Sequence, residues 1–484
     1  MANGASGPSP GGADRVSLGR RTFEERVAQG KGARTAAPLE GHAEVCRSDD
    51  VDPLALVLGQ AETRVPELVP IRHGRMLVSP FTFYRGAALI MAADLAGTPS
   101  SGLTTQLCGD AHLANFGGYA SAERRLVFDI NDFDETFPGP FEWDVKRLAA
   151  SFVVAGRDNG FKAKQSRKVT LAAVEGYRRA MLEFAGQPVL EVWYQHLDLE
   201  KTVAELSEEL ADATGKRKKQ VKRARKAMAK AYTRNSMQAL AKLTETVDGH
   251  RRILSDPPLI TRLDDMVDLD REDVLERLTT LVADYRESLP PERQRLLDHF
   301  RLVDVAHKVV GVGSVGTRAW VMLLQGAVSG EVLLLQAKQA QRSVLADYLP
   351  DPGYEHQGER VVTGQRIMQA SSDIFLGWLR ATPLSGGETD YYLRQLRDWK
   401  VSAEIGEMTH VGLTTYARLC GWTLARAHAR GGDRVAIASY LGESDTFDQA
   451  LADFAESYAD QNERDHAAMA AAVDAGRIEA LAGL

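Results

Sequence analysis

Residues 108–118 read Cys-Gly-Asp-Ala-His-Leu-Ala-Asn-Phe-Gly-Gly, and residues 131–135 read Asn-Asp-Phe-Asp-Glu. Each segment follows a strand-like run, Leu103 to Leu107 before the first and Arg125 to Ile130 before the second. Two strands therefore flank a polar loop, with a second polar loop beyond them. The first loop sets the carboxylate of Asp110 ahead of the amide of Asn115, and the second puts Asp132 at the end of its strand. Carboxylate and amide oxygens in this pattern can share a hard cation such as magnesium, whose shell is usually completed by phosphate oxygens. Asp110 is then free to accept a hydroxyl proton. The same residue types also satisfy turn backbone or cap a helix, and the two motifs alone leave both readings open.

Upstream, Tyr84, Ala88, Met91 and Leu95 share one helical face, which predicts a buried helix from Pro80 to Leu95. Helical patterns dominate from Glu142 to Leu210 and again from Glu272 to Phe300, with Asp248-Gly249 reading as a hairpin turn between them. From Val303 the pattern changes to β-branched and alternating runs broken by glycines. With the strand candidates Ile374 to Arg380 and Tyr391 to Arg397, this predicts a five-stranded antiparallel insert. Helix returns from Met408 to the end. The expected class is α+β, organised as a helical part over 51–300, a β-rich part over 301–405 and a helical closing segment over 406–484. The Gly/Ser/Pro-rich residues 1–50 read as a mobile tail without the apolar core of a signal peptide.

At 484 residues the chain exceeds what one compact core usually holds. With 59 basic and 66 acidic side chains the net charge is −7, which argues against nucleic acid as a general partner. The basic stretch Lys216 to Lys230 reads as a solvated helix face, with binding to nucleic acid, an anionic membrane or an acidic substrate as the alternative. The most apolar helical stretch, Ala87 to Ala96, is short and interrupted by Asp94, so no membrane span is expected. Cys46, Cys108 and Cys420 are too scattered for a disulfide framework or a zinc site, as a cytoplasmic protein would have it.

Gly311-Val-Gly313-Ser314-Val-Gly316-Thr317 fits a phosphate-binding glycine pattern. A dinucleotide fold requires a helix after such a loop, whereas Ala319 to Leu324 reads as a strand. A glycine loop between antiparallel strands suits a nucleotide flap, and a plain Gly-rich hairpin is the alternative. Farther on, Leu334, Gln336 and Lys338 fall on one face of a strand, with Leu333, Leu335 and Ala337 on the other. A lysine ending such a strand needs an anion near its ammonium group, and Glu355 and Glu359 are the nearby candidates.

Gly109-Asp-Ala-His-Leu-Ala-Asn115 resembles the G-D-x-H-x-x-N catalytic loop of aminoglycoside phosphotransferases and their protein-kinase-like relatives. Asp132-Phe133-Asp134 looks like their metal-binding D-F-G, with Asp in place of Gly. The resemblance implies Asp110 as catalytic base, His112 as a supporting loop residue and Asn115 and Asp132 as magnesium ligands. It implies Lys338, in LQAK, as the phosphate-contacting lysine, and Gly311, Gly313, Ser314, Gly316 and Thr317 as the ATP-binding flap. Asp144 resembles the buried helix aspartate that holds the loop from below. Cys108 stands where those enzymes usually have His, and no H-R-D arginine or A-P-E segment is present, which argues against control by an activation-loop phosphate. The catalytic loop precedes the glycine loop, the reverse of the kinase order, so the implied fold is bilobal, kinase-like and circularly permuted. From about Arg72 onward, with SPFTFYRGAA, GVGSVGTR and LARAHARGGD, the chain is similar to the bacterial family domain of unknown function 2252. The implied activity is ATP- and Mg2+-dependent phosphotransfer to a small-molecule or protein hydroxyl. A nucleotide-binding pseudokinase and an adenylyl transferase are the alternatives.

Overall fold

The computed structural model describes residues 21–209, 229, 242–247, 250–266, 271–309, 315–328, 330–382, 387–396, 399 and 401–481. The basic stretch, apart from residue 229, and the Asp248-Gly249 turn lie outside them. The fold is α+β, with helices and antiparallel sheets.

Helix α1 (Phe23–Ala36) starts at Thr22, whose hydroxyl accepts from the Glu25 N–H while the Glu25 carboxylate accepts from the Thr22 N–H. This helix corrects the expectation of a tail over residues 21–50. Its one buried residue, Gly30, lies so close to a C-terminal helix that a Cβ there would sit 2.1 Å from the Ala436 carbonyl oxygen. Helices α2 (Pro53–Ala61), α3 (Val69–Met76), α4 (Pro80–Gly86) and α5 (Ala88–Ala96) follow. The helix expected over 80–95 is thus two, because Ala87 leaves helical geometry at φ −110° and ψ 32°.

Strand β1 (Thr104–Leu107) leads into the first polar loop and pairs antiparallel with β4 (Phe137–Pro140), which follows the second. Between them β2 (Phe116–Ala120) and β3 (Leu126–Ile130) form a hairpin in which Phe116 faces Ile130. The short strands β5 (Leu197–Asp198) and β14 (Val401–Ser402) complete this sheet in the order β14-β2-β3-β5. The ends of both loops are thereby held together, and the Asn131 N–H donates to the Asn115 carbonyl at 2.8 Å.

Helix α6 (Phe141–Asp158) is buried from Phe141 through Gly156 and lies under the first loop. It packs with α7 (Ala163–Ala185), and two shorter helices, α8 (Val189–Tyr194) and α9 (Leu199–Glu209), come after it. The chain then forms the hairpin β6 (Thr244–Val247) and β7 (His250–Ile253), strand β8 (Ile260–Arg262) and helices α10 (Arg271–Glu287) and α11 (Pro291–Leu297).

Strands β9 (Phe300–Lys308), β10 (Ala319–Gly326) and β11 (Val332–Gln339) are joined by β12 (Gly377–Ala381) and β13 (Thr389–Gln395), with helix α12 (Gln357–Met368) crossing between β11 and β12. The order is β12-β13-β11-β10-β9-β8, antiparallel throughout. Among the described residues the sheet therefore has six strands instead of five, because β8 joins its edge from beyond two helices. Its alternation is the expected one. Leu333, Leu335 and Ala337 pack with Tyr285 of α10 and with Leu289 just beyond it, while Leu334 packs with Ile253 and Ile260.

Helices α13 (His410–Gly431), α14 (Arg434–Leu441) and α15 (Thr446–Asp474) return to α6 and α7 and share their hydrophobic core. Among the described residues no helix is long and apolar enough to cross a membrane.

Candidate functional site

The loop after β1 is held from beneath by α6. Asp144 accepts from the Cys108 N–H at 2.8 Å and the Gly109 N–H at 3.0 Å, and lies 3.2 Å from His428 Nε2. Ser151 accepts from the Leu113 N–H at 3.0 Å. Gly109 has φ +81°, and a Cβ there would lie 2.1 Å from the Glu135 carbonyl oxygen, so the two loops touch at a point that admits only glycine.

Asp110, His112, Asn115, Asp132, Asp134 and Thr317 line one polar cleft. Asp110 Oδ1 is held by Arg147, whose Nε lies at 2.9 Å and Nη2 at 2.8 Å. Its other oxygen, Oδ2, is 3.7 Å from His112 Nε2, beyond hydrogen-bond distance. Burial, with Arg85 and Arg147 beside it, holds His112 well below the usual histidine range, so its ring is neutral at neutral pH. Asn115 donates its amide to the Asp110 carbonyl at 2.9 Å, which leaves its Oδ1 as an acceptor at the cleft.

Lys338 on β11 meets the cleft only through Asp134, one of its lining residues. Its Nζ donates to Asp134 Oδ2 at 2.7 Å, and the hydroxyl of Tyr392, opposite Lys338 on β13, donates to Asp134 Oδ1. The acid paired with Lys338 is therefore Asp134, and not Glu355 or Glu359. Burial works against the Lys338 ammonium, but Asp132 and Asp134 outweigh it and raise its pKa. For Asp134 burial is likewise outweighed, and Lys338 holds the carboxyl below its usual value. Asp132 goes the other way, pushed up by burial and by the neighbouring Asp134 charge. Glu135 is pushed up to about 7 by burial, although its carboxylate accepts from the Val344 N–H at 2.8 Å.

Arg360 on α12 fixes this loop from outside, donating to the carbonyls of Thr136 at 2.6 Å, Asp134 at 2.9 Å and Gln341 at 2.9 Å. Arg394 donates to the Asn131 carbonyl at 3.1 Å. Neither role carries a signature in the sequence beyond an arginine in an apolar setting. Gly311, Gly313 and Ser314 lie outside the described residues, although the strands around them, β9 and β10, pair antiparallel. Gly316 is described, and its carbonyl accepts from the Val65 N–H at 2.8 Å. Among the described residues no group of three or more His, Cys, Asp or Glu side chains is arranged to hold a metal ion.

A bacterial family described as an uncharacterized protein conserved in bacteria, DUF2252, matches residues 64–472, and the chain belongs to it. No curated protein and no solved structure matches the chain.

Proposed function

We propose that this protein is an ATP- and Mg2+-dependent phosphotransferase, with a two-lobed, kinase-like arrangement in circularly permuted order, acting on the hydroxyl of a small molecule or protein. The observation that carries this reading is the pairing of Lys338 with Asp134, across 204 residues of sequence, on the Asp132–Asp134 loop that lines one cleft with Asp110 and Asn115. A plain structural salt bridge would not need that loop to lie beside Asp110. The acid partner departs from the kinase pattern, since the lysine is anchored by the metal-binding loop itself.

Asp132 fits a divalent cation: it is a half-buried carboxylate at the cleft, crowded by Asp134, and its one hydrogen bond among the described residues is a 3.3 Å contact from the Asp134 N–H. Asn115 Oδ1 and Asp132 would hold magnesium, which when bound would neutralise triphosphate charge. Asp110 would orient the acceptor hydroxyl and take its proton at Oδ2, the oxygen that Arg147 leaves open. Lys338, fixed by Asp134 and Tyr392, would position phosphate oxygens, and Thr317 would lie at the flap edge of the same cleft.

The test is transfer from ATP labelled at the α or the γ phosphate, with and without magnesium. The reading expects γ-label transfer and ADP. Release of pyrophosphate with α-label transfer would replace it by adenylyl transfer, and no calorimetric binding of ATP with magnesium would overturn it.

A further inference from the structure

One wall of the cleft comes from a part of the chain outside the catalytic-loop, Asp132–Asp134 and glycine-loop motifs. Arg64 precedes a short 3-10 turn, Arg72 lies on α3 and Arg85 on α4, and all three line the cleft with Asp110 and Asp132. Arg72 is 1% exposed; its Nη2 donates to Gln60 Oε1 at 2.8 Å and to the Gly86 carbonyl at 3.0 Å. Its Nε and Nη1 are buried without an acceptor among the described residues. Arg64 donates one Nη1 bond to the Val315 carbonyl, at the end of the glycine segment, and its Nε has no acceptor among the described residues. The Nε of Arg85 is also buried without one. None of the three forms an ion pair with a carboxylate among the described residues.

Buried guanidinium donors without acceptors are costly, and three facing one cleft are unusual unless an acceptor arrives. Their planar forks match tetrahedral oxyanions better than water does. Burial depresses the pKa of each, which an anion would reverse.

We propose that Arg64, Arg72 and Arg85 form a binding site for a phosphate-type oxyanion beside Asp110. The site itself stands without the phosphotransferase reading. Assigning the oxyanion to a nucleotide's terminal phosphate or to a phosphate on the acceptor rests on that reading.

The experiment is calorimetric titration of the full chain, in chloride buffer, with inorganic phosphate. It is done alone and with a saturating non-hydrolysable ATP analogue plus magnesium, on the wild type, Arg85→Gln and Arg72→Gln. Wild type should bind phosphate, and Arg85→Gln, which removes a side chain with no hydrogen bond among the described residues, should weaken it on the order of tenfold or more. Arg72→Gln should do the same if circular dichroism shows it folded; Arg85→Gln decides the matter if it does not. Phosphate displaced by the analogue assigns the site to the nucleotide, and phosphate retained assigns it to the acceptor. Absence of phosphate binding at millimolar concentration, or equal binding by folded Arg85→Gln, overturns the site. Phosphate binding without ATP turnover keeps the site and removes the phosphotransferase reading, so the two failures are distinct.

Discussion

Lys338 and Asp134 form an ion pair at 2.7 Å in which both partners are tied to something else: Asp134 to the Tyr392 hydroxyl and Lys338, by cross-strand register, to Tyr392 as its neighbour. The pair joins the six-stranded sheet to the loop after β3. Its removal from one side leaves a charge in a desolvated place, whereas removal of both does not.

Asp134→Asn should therefore destabilise the protein by about 3 kcal/mol, and the double variant Asp134→Asn/Lys338→Met by much less. Urea unfolding of the four species closes the cycle. A double-variant loss equal to the sum of the two single losses would mean that the pair does not couple.

Much of the site is legible in the sequence because its chemistry is local. Asp110, Asn115 and Asp132 lie within loops whose flanking strands announce themselves, and Asp144 follows one helix later. Asp134 is in view but concealed by the resemblance, which makes it a departure at a glycine position; only the fold shows that Lys338 needs it. Strand β2 is hidden inside a glycine run, since Gly117 and Gly118 have no side chains to give an alternating pattern. Their reason is close packing: a Cβ on Gly117 would lie 2.4 Å from the Val401 carbonyl oxygen. The arginines Arg64, Arg72 and Arg85 give no signal, because an arginine in sequence reads as exposed. Helix α1 escapes for a related reason, as it buries only Gly30 and shows no apolar face.

Two left-handed glycines separate conformation from contact. Gly109 has φ +81° with the Glu135 carbonyl against it, while Gly160 has φ +70° and nothing within 4 Å of the place a methyl group would take. Gly160→Ala should cost about 1 kcal/mol, the left-handed penalty alone. Gly109→Ala should cost more than about 2 kcal/mol, because backbone must move as well, and it should also displace Asp110. Urea midpoints for the two variants test this; equal costs would show that the two loops can part without penalty.

Lys146 is fully buried on α6, its Nζ 4.7 Å from the centre of the Phe454 ring and without a hydrogen-bond acceptor. Burial lowers its pKa to about 8, partly offset by Glu142, Cys46 and Glu44. The folded state thus binds this proton less tightly than the unfolded chain, where lysine titrates near its usual value. The penalty is complete below pH 8 and is relieved as pH rises toward about 10.4, so stability from this group increases with pH by about 3 kcal/mol over that window. Lys146→Met should be more stable than wild type at pH 7, and the difference should shrink by pH 10. Melting temperatures across the range, compared between the two proteins, would reveal a constant difference if Lys146 keeps its proton.

Asp132 joins the stability of the fold to the proposed chemistry. Its carboxylate is half-buried beside that of Asp134, and the hydrogen bond of Lys338 goes to Asp134 at 2.7 Å. A charge placed in this way works against folding, which is the usual cost of a group kept for a ligand. Asp132→Asn preserves shape and removes that charge, so it should melt at the wild-type temperature or above it. In the wild type, magnesium with ATP should raise the melting temperature, since a ligand that binds only the folded state stabilises it by mass action. The variant should lose that rise and the label transfer together. Thermal melts with ATP, with magnesium and with both, run beside the transfer assay, give the answer. A variant that keeps the magnesium-dependent rise would remove Asp132 from the metal site, and one that melts well below wild type would mean that the carboxylate holds the loop together instead of waiting for a cation.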